Sequence, residues 1–274
     1  MQSSAYNMQE QKAAEAFNKQ SSVFDAIYSS NLIIQYKRDR VRRHVENFLQ
    51  PNAHMLELNA GTGEDAAYFA SRGHRVHATD IAHEMQNVLS EKIYEQGLND
   101  KVTTELCSFN NLESLQNKGL YDLVFSNFGG LNCTGELDKV LSSVSSLLKP
   151  NGLVTLVVMP HFCFWEFLLF LRGDFKTAFR RFNSKHGVRA HIEGTYFTCW
   201  YYSSKFIETS LKNEFELLSV EGLCSIVPPS YFENFPRKHP RLYRWLQKIE
   251  DKMKSKWPWK NIGDYFIITL RKKD

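Results

Sequence analysis

Two glycines and a carboxylate in the first half of the chain have the spacing of a nucleotide-binding site. Gly61 and Gly63 lie between a predicted strand and a predicted helix, where the missing Cβ lets the backbone turn tightly and approach a ligand. Asp80 ends the next predicted strand, so its carboxylate is placed to accept hydrogen bonds from ribose hydroxyls. Pairs of glycines open many helices without binding a ligand. The glycines together with Asp80 therefore predict a cofactor site, whereas the glycines alone do not.

The same loop also satisfies the fingerprint of dinucleotide-binding proteins, with Ala66 at the third small position. Three neighbouring features favour a different cofactor. Glu57 lies in the strand before the loop, where a carboxylate can hold the ammonium group of an amino-acid moiety. The run LLKPNG at 147–152 joins a predicted helix to the fifth strand. The sheet also ends in a late pair of strands instead of a sixth parallel unit.

Strand-like and helix-like periods alternate between residues 54 and 159, which is typical of a doubly wound α/β sheet with parallel strands. A helical pattern precedes this region, and two further strands follow it. The predicted units are an N-terminal helical cap at 1–50, a Rossmann-like core at 51–159, an aromatic and basic substrate cover at 160–202, and the end of the core at 203–274 with a basic insertion at about 223–262.

Four motifs together resemble the class I S-adenosylmethionine (SAM)-dependent methyltransferases: ELNAGTG at 57–63, Asp80, YDLVFSN at 121–127 and LLKPNG at 147–152. The segment AFNKQSSVFDAIYSS at 16–30 is similar to the branch with the ubiquinone/menaquinone-type C-methyltransferases and the malonyl-carrier-protein methyltransferase of biotin synthesis. The resemblance implies SAM as cofactor, no metal, and a seven-stranded sheet of order 3-2-1-4-5-7-6. Its last strand is antiparallel, and N-terminal helices and a helical lid insertion accompany it.

Carried over residue by residue, the resemblance implies a set of cofactor-binding positions: Glu57, Asn59, Ala60, Gly61, Thr62, Gly63, Asp80, Ile81, Met85, Ser108, Phe109 and Asn127. Two positions depart from the family. Asn59 stands where glycine is frequent, and asparagine tolerates the left-handed backbone that such a position needs. The run 107–110 lacks the acidic residue that often contacts the adenine amine, which leaves this contact to Ser108 or a backbone carbonyl.

Methyl transfer is an in-line displacement, so the acceptor atom must lie about 3 Å from the methyl carbon. In an open α/β sheet the site is expected beyond the carboxyl ends of strands four and five. Phe128 and Gly129 follow strand four and replace the prolines of the amino-methyltransferase tetrapeptide, which argues against DNA-base or glutamine N-methylation. His161 follows strand five and is the candidate base, because an imidazole titrates near neutral pH. The alternative is a capping or core histidine.

Aromatic residues make up 14% of the chain, and eleven of them fall between 161 and 200. We expect this insertion to cover an apolar or planar acceptor, although packing of an extra helix explains at least half of it. Glu166 is expected either to pair with one of the nearby arginines, Arg172, Arg180 or Arg181, or to reach the substrate, with pairing favoured. The residues predicted to contact the acceptor are Tyr28, Phe128, Gly129, Trp165 and Trp200. The predicted acceptor is a quinone, polyketide, pigment or lipid-like metabolite, and O-methylation is slightly favoured.

The segment 236–260 has nine basic and two acidic residues, a local net charge of +7 in a chain of net charge +4. Aromatic residues lie among these cations. The segment is consistent with a solvated helix face, with contact to an anionic membrane surface or carrier, or with RNA binding. An RNA methyltransferase is therefore one alternative function, although no appended RNA-binding module is visible. A non-catalytic subunit with the SAM-binding fold is another, because the adenine-side acid is missing.

Five widely spaced cysteines without a C-x-x-C motif favour a reducing compartment over a zinc site. The first twenty residues contain no apolar core of a signal peptide. The most apolar stretch, 152–171, is interrupted by Pro160, His161 and Glu166, which leaves pieces too short to cross a bilayer. These features predict a cytoplasmic protein.

Overall fold

The computed structural model describes residues 2–182 and 186–274, with side chains from Met8 onward. Its strands are β1 (His54–Leu58), β2 (Arg75–Asp80), β3 (Val102–Leu106), β4 (Tyr121–Ser126), β5 (Leu148–Val158), β6 (Val188–Ile192), β7 (Thr195–Cys199), β8 (Phe215–Leu223) and β9 (Tyr265–Lys272). Its helices are α1 (Gln2–Ser29), α2 (Leu32–Glu46), α3 (Glu64–Ser71), α4 (His83–Glu95), α5 (Leu137–Val144), α6 (Phe164–Phe167), α7 (Phe175–Phe179), α8 (Ser204–Leu211), α9 (Phe235–Lys238) and α10 (Pro240–Met253).

Seven strands form one sheet in the order β3-β2-β1-β4-β5-β9-β8. The first five strands of this order are parallel, and β9 runs antiparallel to both β5 and β8. This arrangement confirms the predicted strand order and the antiparallel last strand. A helix follows β1, β2 and β4 and returns the chain to the same edge, so the carboxyl ends of β1, β2, β4 and β5 lie together.

Hydrophobic side chains on the two sides of the sheet form separate clusters. Met55 belongs to one cluster and Leu56 to the other, because successive side chains of a strand point to opposite faces. Short apolar helices pack on each side, so the central strands are buried almost throughout. In the ranges 2–182 and 186–274, no helix is both long and apolar enough to span a bilayer.

The insertion at 160–202 differs from the predicted helical lid, because its second half is a hairpin of β6 and β7. Glu193 and Gly194 connect the two strands with positive φ angles of 44° and 76°, the backbone of a two-residue hairpin turn. The helices in this insertion are short. The hairpin lies against α1: Lys19 Nζ donates to Thr195 Oγ1 at 2.8 Å, and Thr198 Oγ1 donates to Gln9 Oε1 at 3.0 Å.

Candidate functional site

A cavity of about 370 Å³ lies at the carboxyl ends of β1, β2, β4 and β5, beneath α1 and the β6–β7 hairpin. It brings together most of the residues that the sequence predicted for the cofactor and the acceptor. Those that line it are Tyr28, Glu57, Asn59, Ala60, Gly61, Thr62, Asp80, Ile81, Met85, Phe109, Asn127, Phe128 and Gly129. Its size lies within the range of small-molecule sites.

The loop after β1 has the left-handed backbone that its glycines suggested. Asn59 has a φ of 49° and Gly61 a φ of 56°. The Asn59 side chain also ties this loop to the end of β4, because its Nδ2 donates to the Asn127 carbonyl at 3.0 Å and its Oδ1 accepts from Ser126 Oγ at 2.6 Å. Gly130 leaves room for this side chain, since a Cβ there would lie 2.2 Å from Asn59 Cγ. Asparagine therefore fits where glycine was expected and joins two walls of the cavity.

Asp80 holds the glycine loop in place. Its carboxylate accepts hydrogen bonds from the backbone nitrogens of Gly61 and Ala82, both at 2.8 Å. Burial raises the pKa of this carboxyl group, and the backbone hydrogen bonds partly oppose the shift. Each carboxylate oxygen keeps a second lone pair. Asp80 can therefore accept from the hydroxyls of a ligand while it positions the loop.

Glu57 is a buried carboxylate at the wall of the cavity, and its Oε2 has no hydrogen-bond partner among the described residues. Its pKa is raised well above the usual value, first by burial and then by the nearby carboxylate of Asp65. Asp65 is itself held by Arg42 Nε and by Asn127 Nδ2, both at 2.7 Å. A buried carboxylate without a partner is costly, and a cation in the cavity would remove that cost. This end of the cavity is therefore suited to an ammonium group.

Glu10 is a cavity residue that the sequence did not reveal. It belongs to α1, is 3% exposed, and accepts hydrogen bonds from Ser108 Oγ at 2.5 Å and Asn110 Nδ2 at 2.9 Å. Glu10, Ala13 and Phe17 line the cavity at helical spacing, so α1 presents one carboxylate on an otherwise apolar face. That lone carboxylate was the available signal. The helix thus places an acid beside the segment that follows β3, where the sequence lacks one.

Two predicted cofactor residues do not line the cavity. Gly63 lies at the start of α3, and a Cβ there would approach Leu89 Cγ to 2.5 Å, so this glycine permits close packing of α3 against α4. Ser108 lies behind Glu10 and donates to it instead of facing the cavity.

The candidate base and two predicted acceptor contacts also lie elsewhere. His161 is exposed beyond the end of β5 and does not line the cavity, so it is not positioned to take a proton from a ligand there. Trp165 packs against Phe232 with ring centroids 5.7 Å apart. Trp200 is buried beside Gly187, and its backbone nitrogen donates to the Asn132 carbonyl at 2.7 Å. The two tryptophans are thus placed by packing and not by contact with the cavity.

The roof of the cavity also differs from the prediction. In the described part of the run 161–182, Arg180 alone lines the cavity, while most of the phenylalanines pack against one another. The rings that line the cavity come from α1, the hairpin, the first residue of β9 and loops near the sheet: Phe17, Phe24, Tyr28, Phe109, Phe128, Phe197, Tyr201 and Tyr265. The cavity is thus lined by aromatic rings, but α1 and the hairpin supply many of them.

Glu166 pairs with arginines, as the sequence predicted. Its Oε2 accepts from Arg180 Nε at 2.8 Å and from Arg181 Nε at 3.0 Å, and Arg181 also binds Asp264 at 2.9 Å. Burial alone would raise the pKa of Glu166, but the two guanidinium groups lower it below its usual value. Cys163, Glu166 and Asp264 are close enough together to hold a metal ion. The Arg181 guanidinium already supplies positive charge to both carboxylates.

Comparisons with known proteins place these features in a family context. Residues 55–152 match the family model described as a methyltransferase domain. A demethylmenaquinone methyltransferase of Leptospira interrogans is 27% identical over 143 residues, which cover 51% of this chain and 57% of that protein. A tuberculostearic acid methyltransferase of Mycobacterium tuberculosis is 25% identical over 129 residues, which cover 44% of this chain and 29% of that protein. The chain thus spans little more than half of the first relative and less of the second.

A solved structure extends the likeness in fold to nearly the whole chain. It is a Burkholderia thailandensis 1,6-didemethyltoxoflavin-N1-methyltransferase with bound 1,6-didemethyltoxoflavin and S-adenosylhomocysteine. The TM-score is 0.58 at 15% identity, and the match covers 98% of this chain and 91% of that one. The shared fold therefore includes the regions before and after the matched domain.

Proposed function

We propose that this chain transfers a methyl group from SAM to a hydrophobic or aromatic small molecule. The match of residues 55–152 to a methyltransferase domain supports this proposal, as does the fold that the chain shares with a solved methyltransferase. The observation that carries this proposal is the unpaired, buried carboxylate of Glu57 in the same cavity as Asp80. SAM supplies a methyl group on a positively charged sulfur, and the protein contributes position and electrostatics.

The cavity offers a partner for each polar part of SAM. Glu57 would bind the ammonium group of its methionine part, and Asp80 would accept from the ribose hydroxyls. Glu10 would accept from the exocyclic amine of adenine, while Ile81 and Met85 would pack against the base. Glu10 would thus take the role that the sequence had left to Ser108 or a backbone carbonyl. The missing adenine-side acid was the reason to consider a non-catalytic subunit; with Glu10 in that role, the adenine amine would have an acidic partner.

The rest of the cavity supports an apolar or planar acceptor. Phe128 and Gly129 follow β4, Tyr28 comes from α1, and Phe197 and Tyr201 come from the hairpin and the segment after it. Aromatic walls of this kind bind flat or greasy molecules and exclude water from the transfer step. The names of the two relatives refer to demethylmenaquinone and tuberculostearic acid, which are both hydrophobic. We propose a quinone-like or lipid-like acceptor, with the methyl group transferred to oxygen.

Proton removal in this cavity does not depend on histidine, because no histidine lines it in the described part of the chain. Burial raises the pKa of the Tyr201 phenol to about 12 and also raises that of Tyr28. Both phenols are therefore protonated at neutral pH and can donate hydrogen bonds to an acceptor oxygen. This arrangement suits acceptors whose own hydroxyl is acidic, such as phenols and enols.

Cofactor binding is tested by thermal unfolding of the full chain with S-adenosylhomocysteine, SAM or NAD. We expect the first two ligands to raise the melting temperature and NAD to leave it unchanged. Stabilisation by NAD and not by SAM would refute the proposal. Transfer is tested separately with SAM whose methyl group is deuterated, added to extracted quinones and lipids. A product that is heavier by one deuterated methyl group identifies the acceptor.

A further inference from the structure

Helix α10 is attached to the protein body by one face. Tyr243 and Glu250 are its buried residues. The ring of Tyr243 packs edge-on against Tyr36 at 6.2 Å, and the Glu250 carboxylate accepts from the backbone nitrogens of Cys224 and Val227 at 2.9 and 2.8 Å. These contacts fix the rotation of the helix about its own axis, so its opposite face is held towards solvent.

The outer face of α10 has an apolar stripe that the protein does not cover. Leu242 is 45% exposed and Trp245 is 57% exposed. Ile249, which is partly exposed, continues the stripe at helical spacing. Trp257, shortly after the helix, is 80% exposed. A purely solvated surface does not need an exposed tryptophan and leucine on the helix with a second exposed tryptophan after it.

A stripe of cations runs beside the apolar one. Arg241, Arg244, Lys248 and Lys252 are all exposed, and their spacing of three or four residues places them on one side of the helix. Within the ranges that the structure describes, none of the four has a carboxylate within 4.0 Å. The local net charge of the segment is +7, whereas the rest of the chain is net negative. Positive charge is therefore concentrated on one surface.

We propose that this outer face of α10, together with Trp257, docks on the surface of an anionic phospholipid bilayer. Leu242, Trp245 and Ile249 would enter the boundary between headgroups and acyl chains, while the cation stripe pairs with lipid phosphates. RNA phosphates could pair with the cations and RNA bases could stack on tryptophan, but RNA offers no apolar surface to the aliphatic residues of the stripe. The net negative remainder of the chain is repelled by the same membrane, so docking orients the protein.

This surface is separate from the cavity, because none of its residues lines it. Its test is therefore independent of methyl transfer. The full chain is sedimented with vesicles of phosphatidylcholine alone, or with vesicles of equal parts phosphatidylcholine and phosphatidylglycerol. We expect binding to the mixed vesicles, weakening as salt screens the charges. Replacement of three cations, R241Q/R244Q/K248Q, should lower the partition coefficient about fivefold for each cation at low ionic strength, or about a hundredfold in total.

The apolar stripe is tested by L242S/W245S, which should weaken binding at both low and high salt, because burial of apolar groups is not screened. Matched controls are K139Q/K205Q/K212Q, three exposed lysines on other parts of the surface, and Y94S, an exposed aromatic on α4. We expect the controls to bind as the native chain does. All variants should retain the melting temperature and its rise with S-adenosylhomocysteine, which separates this test from that of the proposed function.

Three results would overturn the proposal. The native chain could remain in the supernatant with both kinds of vesicle. The control variants could lose as much binding as the α10 variants. The native chain could bind polyuridylate in a salt-sensitive way without binding vesicles, which would assign the face to RNA.

Discussion

Replacement of Glu10 tests the most specific feature of the proposed cofactor site. In the ligand-free protein its carboxylate accepts from Ser108 and Asn110, and the proposal adds the adenine amine as a third donor. A hydrogen bond to a charged group contributes about 1.5–3 kcal/mol. Since 1.4 kcal/mol corresponds to tenfold in affinity, Glu10→Ala should raise the Kd of S-adenosylhomocysteine by about 10- to 100-fold.

The assay is isothermal titration calorimetry with two ligands, S-adenosylhomocysteine and S-inosylhomocysteine. The second ligand carries a keto oxygen where adenine has its amine. In the native chain this oxygen would face the acceptor oxygens of the Glu10 side chain, so we expect strong preference for the adenosyl ligand. Glu10→Gln introduces an amide that can donate to the keto oxygen. The preference should then fall by about tenfold or more.

The matched control is Glu15→Gln on the same helix, where the carboxylate is exposed and pairs with Lys19. This variant should bind both ligands as the native chain does. Unchanged affinity and unchanged ligand preference in the Glu10 variants, with the fold intact by circular dichroism, would refute the assignment of Glu10 to the adenine amine. Equal losses in the Glu10 and Glu15 variants would show instead that α1 as a whole had shifted.

Four further outcomes follow from the structure. Burial raises the pKa of Glu57, so its ionised form costs folding free energy above the pKa of an unfolded carboxyl. Glu57→Gln should therefore raise the melting temperature of the ligand-free protein at neutral pH and weaken S-adenosylhomocysteine binding. A lower melting temperature would contradict this reasoning. Burial alone would raise the pKa of Glu221, but His44 and Lys254 lower it to about 2. The stability that Glu221 contributes is therefore present above the unfolded pKa and is lost as pH falls towards 2. In urea unfolding, Glu221→Gln should lower the free energy of unfolding by about 2 kcal/mol at pH 7, a figure discounted for partial exposure, and by much less at pH 3. Gly130→Ala would drive a Cβ into Asn59 and should weaken ligand binding. Adding Asn59→Gly to the same chain should restore part of the ligand affinity, because glycine removes the clash and accepts the positive φ. If the double variant bound no better than Gly130→Ala alone, the clash would be relieved elsewhere. His161→Ala should leave the initial rate of methyl transfer unchanged across pH 6 to 9. If the rate of this variant no longer depended on pH, His161 would act as the base.

The sheet and the loop beside it could be predicted because their signals are local. The alternation of strand and helix periods from 54 to 159 depends only on residues that are near one another in the chain. Parallel strands with right-handed crossovers then allow few possible strand orders in the sheet. The loop at 57–63 needs positive φ angles, and the asparagine and glycine residues there provide them. Asp80 follows from the end of β2, since the carboxyl ends of parallel strands meet at one edge. Glu166 and its arginines are also close in the chain.

Only the tertiary structure decided what closes the cavity. Glu10 reaches the segment after β3 from 98 residues earlier in the chain, because α1 packs across the open ends of the strands, and no local pattern records this contact. The sequence predicted that the aromatic run after β5 covers the site. Its phenylalanines pack mainly on one another instead, and the β6–β7 hairpin covers the cavity. His161 lies at the expected strand end and yet outside the cavity. Residue types and their periodicity thus determined the part of the site at the strand ends. The elements that cover the cavity depend instead on long-range packing of apolar faces, which is non-directional and produces no characteristic spacing in the sequence.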